Sequence, residues 1–360
     1  MNFKLTPRFY YTLSLPSYFT MRIKNLESEF NKGVYFNNAR TALRVLLSSV
    51  SNKQLNVGVQ AFTCHTVFQA IKKSGNNPIF IDIDNNFQLC LLDLSKKIAD
   101  LDILIITHTF GYAEQIEKIN EIAKNVIIIE DCAHSFFSKS NGLLTGFLTD
   151  ASIFSFGMAK FPAIGSGGFC LVNKTGKFPY FNQEILKLKY PGFVSSSILF
   201  VKTLIYSVLM KPPIYGSITY PFGKKLDSKF DFIDKFSFKE RLNINWVKRV
   251  YISNKKNITK QLNSQKSNAI FLLSLLNNNI KTISTNNPDE PNYYIFPILV
   301  KDRDLLFNEL LDNNIESGKH FSKSLIWAKV FGYEDGDCKN TEKIINQIIT
   351  LPVHTGVTKK

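Results

Sequence analysis

The sequence predicts an α/β protein: a mixed, mostly parallel sheet flanked by helices, with a smaller C-terminal α+β lobe. From about Asn37 to Asn173, short β-like apolar runs alternate with helical ones. Alternation at these lengths lays strands parallel through helical crossovers. After about residue 180 it stops: residues 226–280 look mainly helical, then a strand, a helix and a last strand follow. A chain of 360 residues has room for a large core and a second lobe. The expected division is an N-terminal segment, 1–35, a large domain, 36–225, and a small domain, 226–360.

Residues 39–50 (ARTALRVLLSSV) set Leu43, Val45, Leu46 and Leu47 near helical spacing. Asn56–Val59 reads as a short strand and Thr66–Lys73 as a helix ending near Gly75. Pro78–Asp82, Ile103–Thr107 and Val126–Glu130 are short, almost wholly apolar runs, expected of buried strands, with an amphipathic helix at Glu114–Lys124. GGFCLVN is a return strand. In the small lobe, Asn292–Val300 reads as a strand, Arg303–Asn313 as a helix and IITLPV as the last strand. Ligand-binding groups in such sheets gather at the carboxyl ends of strands, where His108, Asp131 and Ser155 fall.

The formal charge is +15. A basic surface attracts nucleic acid, anionic lipid or phosphorylated small molecules. No zinc-finger spacing, RNP-like motif or arginine-rich arm is present, and the lysines scatter over expected solvent faces, so nucleic acid is not an expected partner. The five cysteines, Cys64, Cys90, Cys132, Cys170 and Cys338, are widely spaced without a C-x-x-C pair. That is reduced, cytosolic usage, and the N-terminus shows no signal-peptide pattern. The expected place is the cytoplasm, with the inner face of the membrane as one option.

That option comes from FVSSSILFVKTLIYSVLM, residues 193–210. Spanning a bilayer takes about 20 apolar residues. Lys202 sits mid-run, a serine triplet precedes it, and Pro212-Pro213 follows, so a span is not expected. The simpler reading is a buried or lobe-packing helix. The sharper one makes 193–213 a peripheral membrane element, flanked by Lys187, Lys189, Lys211, Lys224 and Lys225.

The chemistry gathers around Asp131 and Lys160. Asp131 follows a buried strand in IIIEDCAHS; alone it would be an N-cap or a partner for a cation, and with only His134 nearby no metal site is expected. Downstream, ASIFSFGMAKFPAIGSGGFC places Ser155 at a strand end, Lys160 after a turn, and glycines at 165, 167 and 168. A lysine held in such a pocket loses pKa through desolvation and becomes nucleophilic. Together these suit pyridoxal 5′-phosphate (PLP), which needs a lysine for its aldehyde, an acid beside its ring nitrogen and donors for its phosphate. Lys160, Asp131 and the helix opening at Ala39-Arg40, with Ser155, supply one of each.

These residues resemble the fold-type-I, PLP-dependent sugar aminotransferases of the DegT/DnrJ/StrS type. The resemblance rests on Ala39-Arg40-Thr41-Ala42-Leu43, Phe62-Thr63-Cys64, and Ser74-Gly75 with Pro78, Phe80, Asp82, Ile83 and Asp84. It continues through His108 to Gly111, Glu130-Asp131 with Ala133 and His134, and Ser155-Phe156 with Lys160. Asp302-Arg303, Leu310, Asn314-Ile315, His320-Phe321 and Leu351-Pro352-Val353-His354 extend it through the small lobe. It runs from about residue 35 to the end and is weakest between 180 and 290.

The resemblance implies that Lys160 holds the cofactor as a Schiff base and shuttles a proton, while Asp131 pairs with the ring nitrogen. It places His134 near the ring, and Ser155, Ala39 and Arg40 at the phosphate. It further implies glutamate as amino donor, a keto sugar on a nucleoside diphosphate as acceptor, a homodimer, and a product for cell-surface glycan or glycolipid synthesis. His108 and His320 are candidate substrate contacts, with strand-end or packing roles as the alternative; His354 stands likewise between pocket and packing. Asp82 and Asp84 are either caps or part of the site geometry, and Tyr112 and Trp327 read as packing aromatics.

There are departures. Cys64 falls where many relatives place a ring-stacking aromatic, with His65 as a substitute, and Asn38-Ala39 replaces a Gly or Ser-Gly. The segment that relatives donate across the dimer to the neighbour's phosphate fits only loosely at Arg241-Leu242-Asn243, and the C-terminus is a helix short. The alternatives are a PLP-dependent sugar dehydratase or a non-catalytic paralogue. Dehydratase relatives carry His at the Schiff-base position, so Lys160 favours transamination.

Overall fold

The structure is a computed structural model and describes residues 4–9, 33–163, 165–190, 192–211, 213–227, 244–276, 280–283 and 289–357. The large sheet and its helices come first in the chain: β1 (Val34–Phe36), α1 (Ala39–Ser48), β2 (Asn56–Gln60), α2 (His65–Lys73), β3 (Asn77–Ile81), α3 (Leu91–Lys97), β4 (Ile103–Thr107), α4 (Ile116–Ile122) and β5 (Ile127–Asp131). A two-stranded hairpin, β6 (Lys139–Ser140) and β7 (Leu143–Leu144), precedes β8 (Ala151–Ser155) and β9 (Gly168–Val172). Seven strands pair in the order β1-β9-β8-β5-β4-β2-β3. β3, β2, β4, β5 and β8 run parallel, and β9 runs against both its neighbours. The sheet is mixed and mostly parallel, as predicted.

Strand β4 shows why such runs are apolar throughout. Ile103 and Ile105 face the core that holds α1 and α2, with Ala42, Leu46, Phe68 and Ile71. Leu104 and Ile106 point the opposite way, onto Leu94 of α3 and Ile116 and Ile119 of α4. Period-two alternation buries all five β4 residues. Fully burying one such side chain is worth about 1.5–3 kcal/mol.

A third core joins the lobes. Phe154 and Phe169 of the large sheet, with Phe62, Phe110 and Phe156 just past its strand ends, share a core with Phe296, Ile298 and Ile349 of the small one. Phe154 and Phe169, partners across β8 and β9, stack at 4.4 Å and 6°.

The later elements are α5 (Phe181–Leu186), α6 (Phe193–Leu209), α7 (Tyr220–Asp227), α8 (Ile244–Leu275), β10 (Lys281–Thr282), β11 (Phe296–Leu299), α9 (Arg303–Asp312), α10 (Ser324–Lys329), α11 (Lys339–Ile344) and β12 (Ile348–Leu351). β10, β11 and β12 form an antiparallel three-stranded sheet. The apolar run at 193–210 is the helix α6, but it turns much of its aliphatic surface outward, so the buried-helix reading does not describe it. Among the described residues no helix is long and apolar enough to cross a membrane.

Three expected boundaries move for local reasons. β5 runs one residue further, so Asp131 ends the strand instead of following it. α4 begins only at Ile116, because the Glu114 carboxylate is occupied by Gln60 Nε2 (2.7 Å) and the Leu89 amide (3.0 Å). β11 starts late because Asn292 is drawn away: its Nδ2 donates to the His134 and Phe136 carbonyls, at 2.9 and 2.8 Å. Arg241-Leu242-Asn243 lies outside the described residues.

Candidate active site

At the carboxyl ends of β5 and β8 lies a cavity of about 320 Å³. Asp131, ending β5, forms part of its lining. Its Oδ1 accepts the Ala133 amide at 2.9 Å. Burial raises the carboxyl's pKa, opposed by that amide and by the charges of Lys160 and His108. A buried acid of this kind gains from a cation placed beside it.

Lys160 reaches the same cavity from the loop after β8. Ser155 ends that strand at the wall, and a tight turn follows, closed by the Lys160 amide on the Gly157 carbonyl (3.1 Å). Desolvation lowers the lysine's pKa, with Cys64 and Asp131 pulling the other way. Its Nζ stands 5.9 Å from the centre of the Tyr294 ring, and the Tyr294 hydroxyl donates to the Ala159 carbonyl.

The third wall is the start of α1. Asn38 caps it, its Oδ1 accepting the Thr41 amide at 2.9 Å and the Thr41 hydroxyl at 3.0 Å. Ala39 and Arg40, in the first turn of α1, border the cavity, where a helix N-terminus favours an anion. Gly168 lets the helix sit this close to β9, because a Cβ there would lie 2.5 Å from the Ala39 nitrogen and 2.6 Å from the Phe154 carbonyl oxygen. A helix N-terminus, a buried acid and a desolvated amine therefore share one pocket of small-cofactor size, and this donor set fits PLP.

Cys64, the N-cap of α2, lines the cavity too. Burial pushes its thiol up, but the His65 hydrogen bond and charge, the Lys160 charge and the Thr66 hydroxyl (3.3 Å) bring it to about 7. His65 does not take the stacking place: its ring packs edge-on against Trp327 at 4.9 Å and is not part of the lining. His134 does line the pocket, stacked on Tyr294 at 4.5 Å and on Phe321 at 5.7 Å. Its Nδ1 accepts the Phe110 amide (3.3 Å), and burial holds its pKa well below 6.5, so the ring is neutral with its proton on Nε2.

His108 is not part of the lining. It lies fully buried at the end of β4, Nδ1 accepting the Glu114 amide (3.0 Å) and Nε2 meeting Glu130 at 2.9 Å. Glu130 also accepts the amides of Gly146, Leu148 and Thr149. His108, Glu130 and Cys132 bring ligand atoms within 4.8 Å of one another, but those hydrogen bonds already occupy the carboxylate. His320 likewise stays off the lining, edge-on to His134 at 5.8 Å, with burial and the Arg8 and Lys160 charges lowering its pKa.

Asp82 is a cap, accepting the Asn340 and Thr341 amides at the start of α11. His354 holds the Pro7 carbonyl at 2.6 Å, a packing role. Sequence reasoning missed Tyr294, Asn292 and Glu130 as site supports. Glu130 alone had a signal, standing inside an apolar strand where an acid needs partners.

The profile of the DegT/DnrJ/EryC1/StrS aminotransferase family matches residues 24–200 and 251–360. The chain belongs to this family. Among its relatives, the GDP-perosamine synthase of Escherichia coli O157:H7 is 39% identical over 108 residues, 29% of this chain and 30% of that enzyme. The sugar aminotransferase CalS13 from Micromonospora echinospora superimposes with a TM-score of 0.70 at 17% identity, covering 91% of this chain and 84% of that one. A Streptococcus pneumoniae structure described as a PLP form matches at TM-score 0.67 and 18% identity, over 91% and 83%. The fold-type-I architecture of these structures is thus shared over 91% of the chain, while the curated relative is matched over less than a third of its length.

Proposed function

We propose that this chain is a PLP-dependent sugar aminotransferase with glutamate as amino donor and a nucleotide-linked keto sugar as acceptor, acting in the cytoplasm as a homodimer in surface-glycan or glycolipid synthesis. The convergence of Lys160, Asp131 and the α1 N-terminus on one cavity carries the reading. Bound there, PLP supplies an electrophilic carbonyl and an electron-withdrawing ring.

The protein's part follows from its residues. The Ala39 and Arg40 amides and the Ser155 hydroxyl hold the phosphate, so affinity comes from a preformed helix end. Asp131 keeps a proton on the ring nitrogen, and its buried carboxylate gains a cation placed directly beside it. Lys160 Nζ anchors the cofactor and, when free, takes and returns the substrate proton; desolvation shifts it toward a base usable near neutral pH. Neutral His134, backed by Tyr294 and Phe321, closes the pocket without adding charge. A lysine at position 160 favours amino transfer over dehydration.

The test is a half-reaction. Glutamate should bleach the visible band of the PLP-loaded protein, and a nucleotide-linked keto sugar should restore it. A band indifferent to every amino acid would sink the proposal.

A further inference from the structure

Among its described side chains, helix α6 exposes aliphatic residues and buries polar ones. Its Thr203 and Ser207 are buried, while Val194, Ile198, Val201, Ile205 and Val208 point outward, each 49–69% exposed. Their spacing of 4, 3, 4 and 3 residues draws one aliphatic stripe along the helix. Ile218 and Phe222, on the turn and helix that follow, are also exposed. The hairpin is anchored from behind: the Thr219 hydroxyl donates to the Leu209 carbonyl (2.6 Å), and the Tyr215 hydroxyl to Glu316 (2.6 Å). A stripe of this size does not face water without a partner.

Charge indicates the partner. Residues 185–226 carry six lysines and no Asp or Glu; Lys187 pairs with Glu184 just before them, which leaves five lysines against the flanking Asp227. A second copy docking by two-fold symmetry would set this lysine-rich segment against itself, with no carboxylate of its own in between. A surface of anionic headgroups over acyl chains complements both features. The helix has 17 residues, about 26 Å against a hydrocarbon core of about 30 Å, and exposed Lys202 interrupts it, which fits lying on a bilayer and not crossing it. Much of the hairpin also falls between the two stretches shared with the family, within 201–250.

We infer that the α6–α7 hairpin docks the enzyme on an anionic membrane surface, the aliphatic stripe entering the interface and the lysines meeting lipid phosphates. The full chain, loaded with PLP, would be sedimented with phosphatidylglycerol-containing vesicles and with pure phosphatidylcholine vesicles. Binding is expected to the anionic vesicles, to weaken with added salt, and to fall at least tenfold in I198D/I205D. Those positions are exposed, so that variant should keep the wild-type visible band and glutamate half-reaction, which separates this inference from the enzymatic reading. Absence of binding at low salt would overturn it, as would binding untouched by I198D/I205D. A variant that instead breaks an oligomer while vesicle binding persists would assign the stripe to a second copy.

Discussion

Gly168 and Ala39 meet backbone to backbone: a Cβ on residue 168 would lie 2.5 Å from the Ala39 nitrogen and 2.7 Å from its Cα. Neither contact can be relieved by a side-chain rotation, so G168A must push the start of α1 off β9. Overpacking of this kind costs about 1–3 kcal/mol. The expected outcome is a folded but destabilised protein that binds PLP at least tenfold more weakly, read by fluorescence titration. Unchanged affinity would remove the helix end from the phosphate site.

The Asp131 carboxylate accepts the Ala133 amide, and among the described residues no basic side chain donates to it. D131N keeps the shape and removes the charge, so cofactor binding should survive while the glutamate half-reaction slows roughly 10²–10³-fold, as for loss of one preorganised electrostatic group. A stopped-flow rate within tenfold of wild type would show that the acid does not act on the ring nitrogen.

The Cys64 thiol, at about 7, should alkylate with a rate that climbs through a midpoint near pH 7, and PLP should slow it because both occupy one cavity. Iodoacetamide labelling followed by peptide mass spectrometry reads this at Cys64 itself. Buried Cys132, Cys170 and Cys338, whose thiols burial pushes up, should stay unlabelled in the folded protein. A Cys64 midpoint near 9, or no protection, would contradict the placement.

Glu114 gives a pH dependence of stability. Burial, with the nearby Asp84 charge, raises its carboxyl from 4.5 to about 8 against the Leu89 and Gln60 hydrogen bonds. Between those values the folded chain keeps a proton that the unfolded chain has lost. The contribution is therefore full below about 4.5 and fades as pH rises through about 8. Urea titrations should show wild-type stability falling from pH 5 to 8 relative to E114Q, by an amount on the order of a few kcal/mol. Parallel pH profiles for the two proteins would rule it out.

What the sequence showed and what it hid have separate causes. Buried parallel strands such as Ile103–Thr107 are legible because both faces demand apolar residues. Asp131 and Ser155 are legible as strand-end polar groups, and Lys160 as the lysine on the turn that follows Ser155. His108 misled, because a strand-end histidine looks alike whether it faces a ligand or, as here, Glu130 behind the site. His65 looked suited to stacking, but Trp327 of α10, some 260 residues away in sequence, takes its ring. The outward stripe of α6 was unreadable for a related reason: composition shows that a helix is apolar, and only the fold shows which side it buries.

The most direct test of the central claim is to locate the lysine that carries the cofactor. The PLP-loaded protein would be reduced with borohydride, digested and sequenced by mass spectrometry. A pyridoxyl group on Lys160, and loss of both label and visible band in K160A, is the expected result. A label on another lysine, or a K160A protein that keeps its band, would contradict it.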